Sequence, residues 1–130
     1  MNVKQIKLEY CGDSTGKLLP IEHFDLPFKV KRTYVITDTT SGVIRGKHAH
    51  FNLEQVIICL KGSLKINCDD GDIKHTFCLS GLGDSIQLTG IIWRELFDFS
   101  EHCVVMVLAS QNYDEDDYIR SYDEFLEVVG

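Results

Sequence analysis

Residues 42–62 read GVIRGKHAHFNLEQVIICLKG. His48 and His50 flank a single alanine. On an extended strand, residues two apart point to the same face, so both imidazoles enter one space. The run that follows, EQVIICL, is apolar at nearly every position and rich in β-branched residues. That pattern predicts a central strand, in contrast to the alternating pattern of a half-exposed one.

Similar signals continue on both sides. KRTYVIT, SLKINC, IKHTFCL, DSIQL and CVVMVLA read as short strands, and CGDSTG, TTSG, DDGD and SGLGD read as turns between them. Their spacing of about ten residues suits a sandwich or barrel. INCDDGDIKHTF is the clearest hairpin, with Asp70-Gly71 tolerant of positive φ at its tip. Before that turn Leu64 and Ile66 alternate with Lys65 and Asn67, so one face is buried. Only YDEDDYIRSYDEFLEVVG reads as helical, with Tyr118, Ile119, Tyr122, Phe125 and Leu126 near helical spacing. Asp114 or Asp116 is its expected cap, and Asp114–Asp117 its solvated start. The expectation is one all-β domain over residues 1–130 with a short C-terminal helical segment.

The 130 residues carry a formal net charge of −7. That balance argues against nucleic-acid binding and leaves room for an anionic ligand only where Arg and Lys converge. The five cysteines form no C-x-x-C pair and lie mostly in apolar runs, as expected of buried free thiols in a reducing cytosol. No apolar stretch approaches the roughly 20 residues of a membrane helix. The start MNVKQIKLEY lacks a secretory h-region. A cytoplasmic protein without membrane or nucleic-acid partners is expected.

The spacing of Gly42, His48, His50, Gln55 and Gly62 is similar to the first sequence motif of the cupin superfamily. Gln55 stands where many metal-binding members have Glu. Their second motif supplies a further histidine, but the matching stretch here, GDSIQLTGIIWREL, has Trp93 and Arg94. Arginine is permanently cationic and does not ligate metals. Two imidazoles and a neutral amide are a poor donor set, so no metal is expected. Proton chemistry remains. Imidazole titrates near neutrality, and a guanidinium beside it favours the basic form. His48 and His50, with Arg45 three residues upstream of His48 and Tyr34 on the preceding strand, suit removal of a proton α to a carbonyl. His23, His75 and His102 occur singly and read as ordinary histidines.

Longer stretches carry a closer resemblance. GVIRGKHAHFNLEQVIICLKGSLKI and IIWRELFDFSEHCVVMVLASQNYDEDDYIRSYDEFL resemble the sugar nucleotide 3,4-ketoisomerases, or WxcM-like cupins. The likeness covers nearly the whole chain. It implies a double-stranded β-helix (jelly-roll) in a homodimer, commonly with exchanged N-terminal strands. It also implies the isomerisation of dTDP-4-keto-6-deoxyglucose to a dTDP-3-keto-6-deoxyhexose of gluco or galacto configuration, without metal or cofactor. The product would feed aminotransferases that make 3-amino sugars for surface polysaccharides such as O-antigen and lipopolysaccharide.

By the same resemblance the catalytic residues are His48, His50, Tyr34 and Arg45. His50 is the first choice for the base at C3, His48 and Tyr34 shuttle protons, and Arg45 stabilises charge. Gln55 is expected at the sugar unless it belongs to a buried network. Trp93 is expected as a wall for sugar or base unless it is a core aromatic. Two positions depart from the family pattern. Phe51 replaces a lysine and should point away from the cavity. Thr15 replaces an arginine of D-x-R-G-x-L, leaving Lys17 as its substitute at the nucleotide. A 3,5-epimerase-like cupin and a non-catalytic sugar-nucleotide-binding module are the alternatives.

Overall fold

The run at 55–60 is buried on both faces because each face of its strand meets a different apolar layer. The computed structural model describes residues 1–130, apart from the side chain of Phe24. In chain order its strands are β1 (Val3–Lys7), β2 (Cys11–Asp13), β3 (Gly16–Leu18), β4 (Arg32–Ile36), β5 (Arg45–His50), β6 (Gln55–Lys61), β7 (Ser63–Asp69), β8 (Lys74–Ser80), β9 (Asp84–Leu88), β10 (Trp93–Phe97), β11 (Val104–Ala109) and β12 (Tyr118–Ile119). One helix, α1 (Tyr122–Val129), follows.

The first sheet has the order β1-β9-β6-β11-β4 and the second β12-β5-β10-β7-β8. All pairings are antiparallel. The fold is a jelly-roll, as expected. β6 lies centrally, between β9 and β11. Ile57 and Cys59 on β6 pack between the sheets with Leu64, Ile66, Ile86 and Val105. Val56 and Ile58 point the other way and are covered by the segment after β1, through Leu8, Ile21, Leu26 and Phe28. β2 and β3 form a separate ribbon whose six residues are all exposed.

The β7–β8 hairpin forms as expected, with a four-residue tip between the paired Asp69 and Lys74. Only Gly71 takes positive φ, at 95°. Asp70 stays in ordinary backbone space and its side chain accepts from the amides of Asp72 and Ile73. Cys59, Cys68 and Cys103 are buried, Cys11 and Cys78 are exposed, and all five are free.

The C-terminal segment differs from the sequence expectation. Helix α1 begins after Ser121, whose hydroxyl accepts from the Glu124 amide, so neither Asp114 nor Asp116 caps it. Asp114 caps a 3₁₀ turn over Glu115–Asp117 instead. Tyr118 and Ile119 are a strand, paired with His50 and Ala49 of β5. Asp117 is buried rather than solvated. Among the described residues no helix is long and apolar enough to cross a membrane.

Two-sided burial of β6 has a measurable consequence. Ile58 is fully buried yet lies outside the inter-sheet core. Ile58→Ala is expected to cost about 2–5 kcal/mol in urea unfolding, as for a core residue, with the m-value unchanged.

Candidate active site

A bulge in β5 aims the first histidine. In the ladder with β10, Arg94 pairs with His48 but Glu95 pairs with Gly46, so Lys47 is extra. Gly46 and Lys47 both take positive φ, at 86° and 57°. A Cβ on Gly46 would sit 3.0 Å from the Arg94 carbonyl oxygen, so glycine is needed for both conformation and space. The bulge brings the Gly46 carbonyl to 3.0 Å from His48 Nδ1. A carbonyl only accepts, so Nδ1 carries the proton and Nε2 holds the free lone pair.

The second histidine lies deeper. His50 is fully buried and packs with Tyr118, its cross-strand partner, at a centroid distance of 4.3 Å. The His48 and His50 rings meet edge to face at 4.8 Å. His50 Nδ1 lies 3.3 Å from Asp117 Oδ2. The Asp117 carboxylate also accepts from the amides of Asn52 and Leu53, at 2.9 and 3.1 Å.

The facing sheet supplies a polar chain. Tyr34 on β4 and Gln55 on β6 are joined by a 3.1 Å bond from Gln55 Nε2 to the phenol oxygen. Arg94 Nη1 donates to Gln55 Oε1 at 2.6 Å, and its Nε donates to the Ile92 carbonyl at 3.0 Å. Arg94 is only 1% exposed, and its Nη2 is buried without a protein partner.

These groups enclose a cavity of about 470 Å³ lined by Tyr34, His48, Gln55, Arg94 and Tyr118, with the half-buried Arg32 and the exposed Arg45 and Arg120 completing the lining. Ile57, Leu96 and Val107 add apolar lining. Arg120 is ion-paired to Glu115 through two bonds of 2.6 and 2.8 Å and lies over the Tyr118 ring. Four guanidinium groups therefore meet at one cavity of an acidic protein. This is a charge distribution suited to an anionic ligand.

Burial, and then the Arg94 charge, pulls His48 down to about 4 and His50 to about 2. Both are neutral near pH 7. Burial raises Tyr34, which stays a phenol. A neutral base, a phenol and a fixed cation can together remove a proton from a carbon next to a carbonyl and stabilise the enolate that results.

Of the residues expected from sequence, His48, Tyr34, Gln55 and Arg45 line the cavity. Gln55 joins the buried network and faces the cavity as well. His50 lies outside the lining, which departs from its expected role as the base. Trp93 also departs from expectation. It packs on Tyr122 and Phe125 of α1, and its Nε1 donates to Glu95 at 3.1 Å, on the face opposite Arg94. Lys17 sits on the β2–β3 ribbon, 5.0 Å from the Tyr10 ring centroid and outside this lining. Thr15 bonds Asp13 in the same ribbon. Phe51 is exposed and outside the lining.

Sequence reasoning missed Arg32, Tyr118, Arg120 and Asp117, and took Arg94 only as a non-ligand. Arg32 was legible, because it shares the face of Tyr34 at a spacing of two on β4.

The family model FdtA, described as WxcM-like, C-terminal, matches residues 1–130. A TDP-4-oxo-6-deoxy-α-D-glucose-3,4-oxoisomerase from Aneurinibacillus thermoaerophilus is 44% identical over 99% of this chain and 94% of its own. A sugar 3,4-ketoisomerase from Thermoanaerobacterium thermosaccharolyticum, solved with TDP, is 43% identical with a TM-score of 0.94, over 98% of this chain and 94% of that one. A His→Asn variant of that enzyme has been solved with TDP-4-keto-6-deoxyglucose. A 3,4-ketoisomerase from Helicobacter canadensis is 38% identical with a TM-score of 0.94, over 99% of this chain and 98% of that one.

The depressed histidines tie stability to pH. Both are lowered from 6.5, so the unfolded chain takes up protons first as pH falls. Stability is full above about pH 6.5 and declines towards pH 4 for His48 and pH 2 for His50. Urea melts from about pH 7 to pH 5 should slope by up to about 1.4 kcal/mol per pH unit per histidine. His50→Gln should roughly halve the combined slope, leaving the contribution of His48.

Proposed function

This chain belongs to the FdtA family of WxcM-like, C-terminal proteins, and from that premise we propose that it isomerises TDP-4-keto-6-deoxyglucose to a TDP-3-keto-6-deoxyhexose. It is an enzyme, a sugar nucleotide 3,4-ketoisomerase that moves a carbonyl between adjacent carbons of one substrate. The observation that carries the mechanism is His48. It faces the cavity with Nδ1 tied to the Gly46 carbonyl, leaving Nε2 as a base.

The steps use groups already described. His48 Nε2 takes the C3 proton. Arg94 Nη2, buried and otherwise unpartnered, donates to O4 as negative charge develops there. The Tyr34 phenol, held by Gln55, gives its proton to O4 and receives that of the 3-hydroxyl. His48 then returns its proton to C4. The net result moves one hydrogen from C3 to C4 and one from O3 to O4. We assign the base to His48 rather than His50 because His48 lines the cavity and His50 is fully buried outside it. Arg45, on the more exposed lining, is assigned with Arg32 and Arg120 to the diphosphate rather than to the enediol.

The ribbon β2–β3 supports a homodimer. A two-stranded ribbon alone is marginal in water, and this one exposes Leu18 and the adjoining Tyr10. A second copy is the proposed cover, and Lys17 is assigned to substrate only through that copy's cavity. We place the enzyme in the cytoplasm with nucleotide sugars, where C3 aminotransfer would consume the product.

Incubation with TDP-4-keto-6-deoxyglucose, followed by ¹³C NMR, should show the ketone at C3. Inversion at C5, or unchanged substrate, would overturn the reading. His48→Asn should lower turnover by about 10²-fold or more while the circular dichroism stays native. Near-normal turnover would remove His48 as base. Sedimentation should give twice the 14.8 kDa chain mass.

A further inference from the structure

The mechanism leaves one buried titratable pair unused. Asp117 and His50 sit directly behind His48, and neither lines the cavity. Asp117 is 6% exposed and its backbone joins β12 to β5, with its carbonyl accepting from the Phe51 amide. Its side chain grips the turn after β5 through the amides of Asn52 and Leu53. That leaves Oδ2 3.3 Å from His50 Nδ1, a contact outside hydrogen-bond geometry, so both His50 ring nitrogens are buried without a hydrogen-bond partner and this carboxylate is the acceptor beside Nδ1. His50 in turn presses on the His48 ring at 4.8 Å and on the Tyr118 ring at 4.3 Å.

We propose that Asp117 is a positioning residue for the isomerisation, acting through His50 to hold the His48 ring at the angle from which Nε2 reaches substrate. The carboxylate attracts a proton to Nδ1 of His50 and so fixes one tautomer and one ring orientation. The other charged or titratable groups near this pair are Arg94 on β10, Arg32 on β4, His48 on β5, Tyr118 on β12 and Arg120 after it. The cations among them draw no proton onto the imidazole, so Asp117 is the acceptor that orients it. Edge-to-face contact then transmits that orientation to His48, whose own Nδ1 is pinned by Gly46. The role rests on the ketoisomerase reading above.

The test begins with the ring itself. Long-range ¹H–¹⁵N spectra of the labelled wild-type protein near pH 7 should show His50 protonated at Nδ1 and bare at Nε2. A proton at Nε2 alone would overturn the proposal. Asp117→Asn should lower kcat about ten-fold or more, with KM for TDP-4-keto-6-deoxyglucose within about two-fold, because orientation is lost and substrate binding is not. Asp117→Glu should recover part of kcat. A kcat within about two-fold of wild type in Asp117→Asn, or a matching rise in KM, would count against it. If Asp117→Asn fails to fold, His50→Gln leaves the Asp117 backbone bonds in place and should give the same loss of kcat at constant KM. Unchanged kcat in His50→Gln would overturn the proposal. A wild-type protein that leaves the substrate unturned defeats the ketoisomerase reading, and the tautomer measurement still judges the pair.

Discussion

The buried guanidinium of Arg94 is the constraint around which the cavity is arranged. A cation removed from water must be compensated, and here a carbonyl and an amide oxygen do so in part. The remaining Nη2 has no protein partner, so it is left to donate to an oxygen within the cavity. The same charge keeps His48 and His50 neutral and adds to what burial already does. It also repels a second cation. An imidazole pair that elsewhere suits a metal is thereby kept uncharged beside a fixed cation.

That arrangement needs a scaffold with polar and apolar ends along the same strands. β6 provides it within a few residues: Gln55 faces the cavity, and Ile57 and Cys59 continue into the inter-sheet core. Its opposite face is sealed by the segment after β1. The strand is held on both sides, so Gln55 is a firm support for both Tyr34 and Arg94. Burial pushes Cys59 up to about 11 and Cys68 to about 12, so these thiols serve as packing and not as nucleophiles.

Strand periodicity made the face of each residue legible, but not its depth. His48 and His50 do share a face, yet the cavity ends between them, because Asp117 arrives from a 3₁₀ turn and Tyr118 from a strand too short to show a period. Tyr118 and Ile119 fall at helical spacing with Tyr122, and that coincidence hid β12 inside an apparent helix. Trp93 was misplaced although the rule that corrects it was available. Neighbours on a strand face opposite ways, so an inward Arg94 turns Trp93 towards α1. The bulge at Gly46-Lys47 was written in the glycine, but its effect on the His48 tautomer needed the ladder register.

The charge pattern also has a kinetic side. The chain carries a net −7, so most approach directions repel an anion. The exposed Arg45 and Arg120 lie at the cavity. A nucleotide sugar is therefore guided to one entrance before it makes contact, over a range set by the Debye length of about 8 Å at physiological salt. Encounter frequency is governed by the ionic strength of the medium, whereas the chemistry beside Arg94, shielded from mobile ions, proceeds at a rate that salt barely touches.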